Sequence, residues 1–139
     1  MRIFLDANIL FSAAHSPEGG ARELFRLAAA GRCALFSSPH AMLEARRNLA
    51  VKSETGSSHL EGLVVSVHLV PDAGPKLVSR ARSFGLPEND GPILAAAIAA
   101  GVDLLVTGDR KHFGHLFGSS VGPVRVVTLV EALEALIAP

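Results

Sequence analysis

The chain has 139 residues and weighs 14.5 kDa, the size of one compact domain, with 49% hydrophobic and 19% charged residues. That composition supplies a core and excludes global disorder, and the longest apolar stretch, Gly91 to Val102, is far short of a membrane span. Thirteen basic against thirteen acidic residues exclude a surface that is basic throughout, although a local basic patch stays open. A single cysteine, Cys33, excludes an internal disulfide framework and any CxxC metal site. Asp6 interrupts any signal-peptide core, so the sequence reads as cytosolic with no membrane segment.

Short apolar runs alternate with helical patterns, and the whole length, 1–139, reads as one domain. Ile3-Phe4-Leu5 is a buried strand bounded by Asp6 and Asn8, and no element is assigned between Asn8 and Ala21. Ala21 to Ala30 is a helix with Leu24, Leu27 and Ala28 at helical spacing and Gly31 just past its end. Ala34-Leu35-Phe36 is a second strand, and Ser38-Pro39 opens a helix carrying Met42, Leu43, Leu49 and Val51. Ser53 to Ser58 reads as a loop, and Leu63 to Val70 as a strand because of its β-branched valines.

Pro75 starts a helix through Phe84, ended by Gly85, and Asp90-Gly91-Pro92 begins an Ala-rich helix ending at Gly101. Leu104 to Val106 and Val124 to Val127 are strands. Thr128-x-x-Glu131 is a capping box for a terminal helix with Leu129, Leu133 and Leu136. Strands alternating with helices predict an α/β fold, a three-layer α/β/α sandwich around a mainly parallel sheet. Ligands bind at the carboxyl ends of the strands in such sheets.

Of five aspartates, Asp6 and Asp109 follow strands and Asp90 opens a helix; Glu44 sits in the otherwise apolar turn Ala41–Ala45. Asp6 and Asp109 share a rim if their strands are neighbours. Each acid has an ordinary explanation: a turn or cap for Asp6 and Asp109, a helix cap for Asp90, a solvated face for Glu44. Together on one rim, four carboxylates repel unless a cation lies between them. An all-oxygen set suits Mg²⁺ or Mn²⁺ rather than zinc, and such ions are the usual partners of phosphates.

Phe4-Leu5-Asp6-Ala7-Asn8-Ile9-Leu10 resembles the opening motif of PIN-domain nucleases, and Glu44 in Leu43-Glu44-Ala45-Arg46-Arg47 resembles that family's helical glutamate. The stretch from Asn89 through Asp90 to Ala97 is similar to its third acidic motif, and that from Leu105 through Thr107-Gly108-Asp109 to Phe113 to its fourth. The resemblance runs from residue 3 to about residue 130. It implies a metal-dependent ribonuclease acting on RNA by hydrolysis that leaves a 5′-phosphate. It also implies a homodimer, compatible with a mean hydropathy of +0.37. Many members of this size are toxins of bacterial toxin–antitoxin pairs, so an antitoxin protein is an implied partner. One departure stands out: a Ser/Gly loop and a Val-rich run lie where many members are helical and dock a partner.

Asp6, Asp90 and Asp109 are assigned as metal ligands, with Glu44 as a fourth ligand or the group that orients the attacking water. Asn8 and Thr107 neighbour the strand-end acids and can orient them, or serve only as turn and cap residues. Arg46, Arg47, Arg110 and Lys111 flank the acids and suit an RNA backbone; Arg80 and Arg82 read equally as a solvated face. His112 and His115 lack a third nitrogen or sulfur ligand for zinc, and His112 reads as a neighbour of the phosphate path. With no Trp or Tyr, reading of bases by stacking is not expected. A dinucleotide-binding fold would require G-x-G-x-x-G where Asp6-Ala7-Asn8 stands, and an aspartyl-nucleophile phosphatase a second Asp where Asn8 stands. The alternative to an enzyme is a PIN-like module that binds RNA or a partner without cutting it.

Overall fold

The computed structural model describes residues 1–137 and contains six strands in one sheet. These are β1 (Arg2–Leu5), β2 (Ala34–Ser37), β3 (Val67–Leu69), β4 (Leu104–Val106), β5 (Ser120–Val121) and β6 (Val124–Val127), in the order β3-β2-β1-β4-β6-β5. Every pairing is parallel except β5 with β6. The helices are α1 (Ala7–His15), α2 (Gly20–Ala29), α3 (Pro39–Lys52), α4 (Glu54–Leu63), α5 (Pro75–Arg82), α6 (Gly91–Ala100), α7 (Arg110–Phe113) and α8 (Leu129–Ile137). They flank the sheet to give the expected three-layer α/β/α arrangement. Among the described residues, no helix is long and apolar enough to cross a membrane.

The central strands are buried on both faces. Ile3, Phe4, Leu5, Leu35, Leu105, Val106 and Val126 lie in the core, which is why these strands read as unbroken apolar runs rather than alternating ones. Helix α6 is so rich in alanine because Ile93, Leu94 and Ala95–Ala97 are all buried, and small side chains let its backbone approach the core closely. It stops at Gly101, whose φ of 64° is left-handed. The box at α8 forms in full: Glu131 N donates to Thr128 Oγ1 at 3.2 Å, and Thr128 N to Glu131 Oε1 at 3.0 Å.

Two local expectations are corrected. Ser53 to Ser58 is not a loop, because Ser53 accepts from Gly56 N at 2.9 Å and caps α4. The run to Val70 is not one strand. Leu60, Leu63 and Val64 are spaced for a helix and pack on the core, so α4 continues to Leu63 and a 3₁₀ turn (Val64–Ser66) precedes the three residues of β3. Helix α1 and the short hairpin strand β5 are additional to the elements read from the sequence, and α1 begins directly at the Asp6 motif. Leu43 and Val51 are carried by α3 as expected but point outward, with 49% and 85% of their surface exposed. The segment between Glu44 and Asp90 is therefore largely helical after all.

Candidate metal centre

The topology decides which ends meet. β1 and β4 are hydrogen-bonded neighbours, so the residues following them, Asp6 and Asp109, emerge on one rim. Helix α3 leaves the same rim after β2 and carries Glu44 in its second turn. Helix α6 runs back toward the opposite rim before β4 begins, which places its first residues, and Asp90, with the others. Asp6, Glu44, Asp90 and Asp109 line a single cavity of about 270 Å³, together with Ala7, Asn8, Phe11, Ser12, Asn48 and Lys52.

Asp6 is the most deeply placed of the four, with 3% of its surface exposed. Its Oδ1 accepts from Ala7 N at 2.6 Å and caps α1. Its Oδ2 accepts from the Thr107 hydroxyl at 2.7 Å and from Asn8 Nδ2 at 3.2 Å. Asn8 spans the gap between strands, because its Oδ1 also accepts from Gly108 N at 2.8 Å. Thr107 Oγ1 in turn accepts from Asp109 N at 3.1 Å. Thr107 and Asn8 thus tie the Asp6 and Asp109 segments into one hydrogen-bonded unit. Burial pushes the Asp6 carboxyl up to about 6; the bonds from Thr107 and Ala7 oppose this, and the charges of Asp90 and Glu44 add to it.

Asp90 stands at the N-cap position of α6 yet makes no side-chain cap bond. Its Oδ2 lies 3.1 Å from His112 Nδ1, and that nitrogen is 2.7 Å from Asp109 Oδ2. Asp109 uses its other oxygen, Oδ1, to cap α7 through His112 N at 3.0 Å. Burial raises the pKa of Asp90, His112 opposes the rise, and Asp109 and Glu44 add to it. Two carboxyls raised by burial and by neighbouring carboxylates, in a pocket with few cations, form an environment into which a divalent ion fits.

The basic residues divide. Arg46 faces away from the cavity and forms a two-pronged pair with Glu61 of α4, both bonds 3.0 Å. Arg47 lines an adjoining hollow with His40, Leu43, Glu44 and Asn89. Arg110 and Lys111 are exposed on α7, next to Asp109. Arg82 holds the Glu88 carbonyl and packs against Gly91 at the start of α6, His115 contacts the Phe84 carbonyl, and Arg80 is exposed on α5. Sequence reasoning missed Phe11, Ser12, Asn48 and Lys52 as cavity residues. For the first two the signal was present: Ile9, Leu10, Ala13 and Ala14 have helical spacing and are buried on α1.

A family model described as the PIN domain matches residues 2–111. The chain belongs to the PIN-domain family. Among curated proteins, none matches this PIN-domain chain. Solved structures share its fold at low identity. PAE2754 from Pyrobaculum aerophilum is 19% identical with a TM-score of 0.72, covering 100% of this chain and 97% of that one. VapBC2 from Rickettsia felis, bound to a DNA fragment from its promoter, is 18% identical with a TM-score of 0.67, covering 92% and 98%. VapC20 from Mycobacterium tuberculosis, described as a toxin that cleaves the sarcin-ricin loop, is 15% identical with a TM-score of 0.57, covering 78% and 91%.

Proposed function

We propose that this PIN-domain protein is an endoribonuclease dependent on Mg²⁺ or Mn²⁺, with the whole chain acting as one domain in the cytosol. The observation that carries the reading is the convergence of Asp6, Glu44, Asp90 and Asp109, from four separate segments, on one cavity. Asp6, Asp90 and Asp109 would hold the ion, and Glu44 would complete the set or orient the attacking water. A bound divalent ion would lower the pKa of water at the site and neutralise charge developing on the leaving oxygen.

The remaining work falls to the chain itself. Thr107, Asn8 and the Ala7 amide hold both oxygens of Asp6 in place, so the buried carboxylate needs no rearrangement to act. Arg47, Arg110 and Lys111 surround the acids and would position the phosphate backbone. The bond that forms joins the water oxygen to phosphorus, and the bond that breaks is P–O3′. The products carry a 5′-phosphate and a 3′-hydroxyl, the latter taking up a proton derived from the water.

Its fold neighbours include VapBC assemblies, which supports a toxin role here, with a small antitoxin as partner and a homodimer as the working form. The decisive experiment is incubation with RNA in Mg²⁺ or Mn²⁺, with EDTA and Asp6→Asn as controls. Cleavage to 5′-phosphate ends, abolished by both controls, is expected. Cleavage that persists in EDTA and in Asp6→Asn contradicts the reading; intact RNA under every condition favours a non-catalytic binding module. Co-expression with the product of an adjacent small open reading frame should relieve growth arrest, and growth unaffected by the chain alone argues against the toxin role.

A further inference from the structure

We propose that His112 supplies an imidazole nitrogen to the divalent ion held by Asp90 and Asp109, so that the centre selects Mn²⁺ over Mg²⁺. The inference rests on the metal-centre reading above and adds to it a nitrogen ligand and a preference between ions.

Three donors meet here: Asp90, Asp109 and His112 each offer one atom, and all three atoms lie within 4.8 Å of one another. The His112 Nδ1 separations, 2.7 Å from Asp109 Oδ2 and 3.1 Å from Asp90 Oδ2, bracket the spacing of adjacent ligands on one ion. Two donors side by side in an octahedron with bonds of about 2.1 Å stand roughly 3 Å apart.

An ordinary helix-capping pair explains only half of this. Within α7, Asp109 caps through Oδ1, which leaves Oδ2 and the imidazole side by side. Asp90 arrives from a different element, and its side chain makes no bond to the amides of α6 that it stands beside. The other histidine rings nearby have backbone partners: His40 contacts the Asn89 carbonyl and His115 the Phe84 carbonyl. Among the described residues, the polar contacts of the His112 ring are to the two carboxylates alone.

Ligand type then decides the ion. Mg²⁺ is a hard ion that keeps oxygen ligands and loses by exchanging one for nitrogen. Mn²⁺ accepts carboxylate oxygen and imidazole nitrogen in the same shell.

The test is pulsed EPR on the full chain loaded with Mn²⁺, together with calorimetric titration of Mn²⁺ and Mg²⁺. Nitrogen modulation of the manganese signal is expected, replaced by the ¹⁵N pattern when histidine is isotopically labelled. It should vanish in His112→Ala and persist in His40→Ala. Calorimetry should show a fall of about tenfold or more in Mn²⁺ affinity for His112→Ala, with Mg²⁺ affinity changed by less than about twofold. Absence of nitrogen coupling in the unmodified protein overturns the inference, whether or not His112→Ala folds. Equal losses for the two ions, or no Mn²⁺ binding, do so as well. Ribonuclease activity in Mg²⁺ is scored separately: nitrogen-coupled Mn²⁺ with uncut RNA sinks the nuclease reading and leaves this one standing.

Discussion

The Thr107 hydroxyl donates to Asp6 Oδ2 over 2.7 Å, joining the carboxyl ends of two neighbouring strands across 101 residues of chain. Thr107 Oγ1 also accepts from Asp109 N, so one side chain orients two acids at once. Thr107→Val keeps the shape and removes all of these bonds. The buried carboxylate then loses a donor, at a cost of about 1–3 kcal/mol in folding stability. Chemical denaturation measures that loss, and cleavage should drop by about tenfold or more because the carboxylate is no longer held. Unchanged stability and activity would show that Thr107 only fills space.

Asp6 sets a stability cost that depends on pH. Its folded pKa, about 6, lies above its ordinary 3.8, because burial disfavours the charged form. The protonated form therefore favours folding, and that contribution is complete below about pH 4 and is lost as pH rises through 6. Asp6→Asn removes the charge and should stabilise the metal-free protein at pH 7.5, by up to about 3 kcal/mol. Thermal melts in EDTA between pH 4 and 8 test this, and a variant less stable than the parent at pH 7.5 would refute it. Adding Mn²⁺ should raise the Tm of the parent and leave that of Asp6→Asn nearly unchanged.

The four basic residues flanking the acids should not contribute equally to RNA binding. Arg46 is engaged by Glu61 on an exposed face, and such a pair is worth less than about 1 kcal/mol to the fold. Arg46→Ala should leave RNA affinity and its salt dependence almost unchanged. Arg110→Ala and Lys111→Ala should each weaken binding across sequences and reduce the salt slope by about one. Filter binding or fluorescence anisotropy over a range of salt concentrations separates the two classes.

Gly56 sits where a methyl group would stand 2.8 Å from Leu49 Cδ2 and 2.9 Å from Ser53 Oγ. Helix propensity alone predicts that Gly56→Ala stabilises α4 by roughly 1 kcal/mol. The close approach of α4 to α3, and the cap that Ser53 makes to Gly56 N, predict the opposite sign, a loss of about 1–3 kcal/mol. A measured gain would mean that the two helices separate at little cost.

These two glycine effects also explain where local reading stops. Ser53-Glu54-Thr55-Gly56-Ser57-Ser58 has the composition of a loop, and the Ser53 cap together with packing against Leu49 and the core beneath Leu60 makes it helical. The Val-rich stretch after it has strand composition, but partial burial of Leu63 and Val64 beside Leu60 extends the helix and leaves β3 only Val67–Leu69. Caps and breakers were legible because they act through the next few residues: Ser38-Pro39, Gly101 and the Thr128/Glu131 box each form as written.

By itself, the order of residues determined the alternation of strands and helices and the placing of Asp6, Asp90 and Asp109 at element boundaries, because periodicity and capping are local physics. It determined the membership in the PIN-domain family through short motifs that keep their register. Tertiary structure alone decided that β1 and β4 are neighbours, that Arg46 turns to Glu61, and that His112 meets Asp90 as well as Asp109. Those contacts join residues up to about a hundred positions apart, and only the packing of the whole sheet brings such groups within hydrogen-bonding distance.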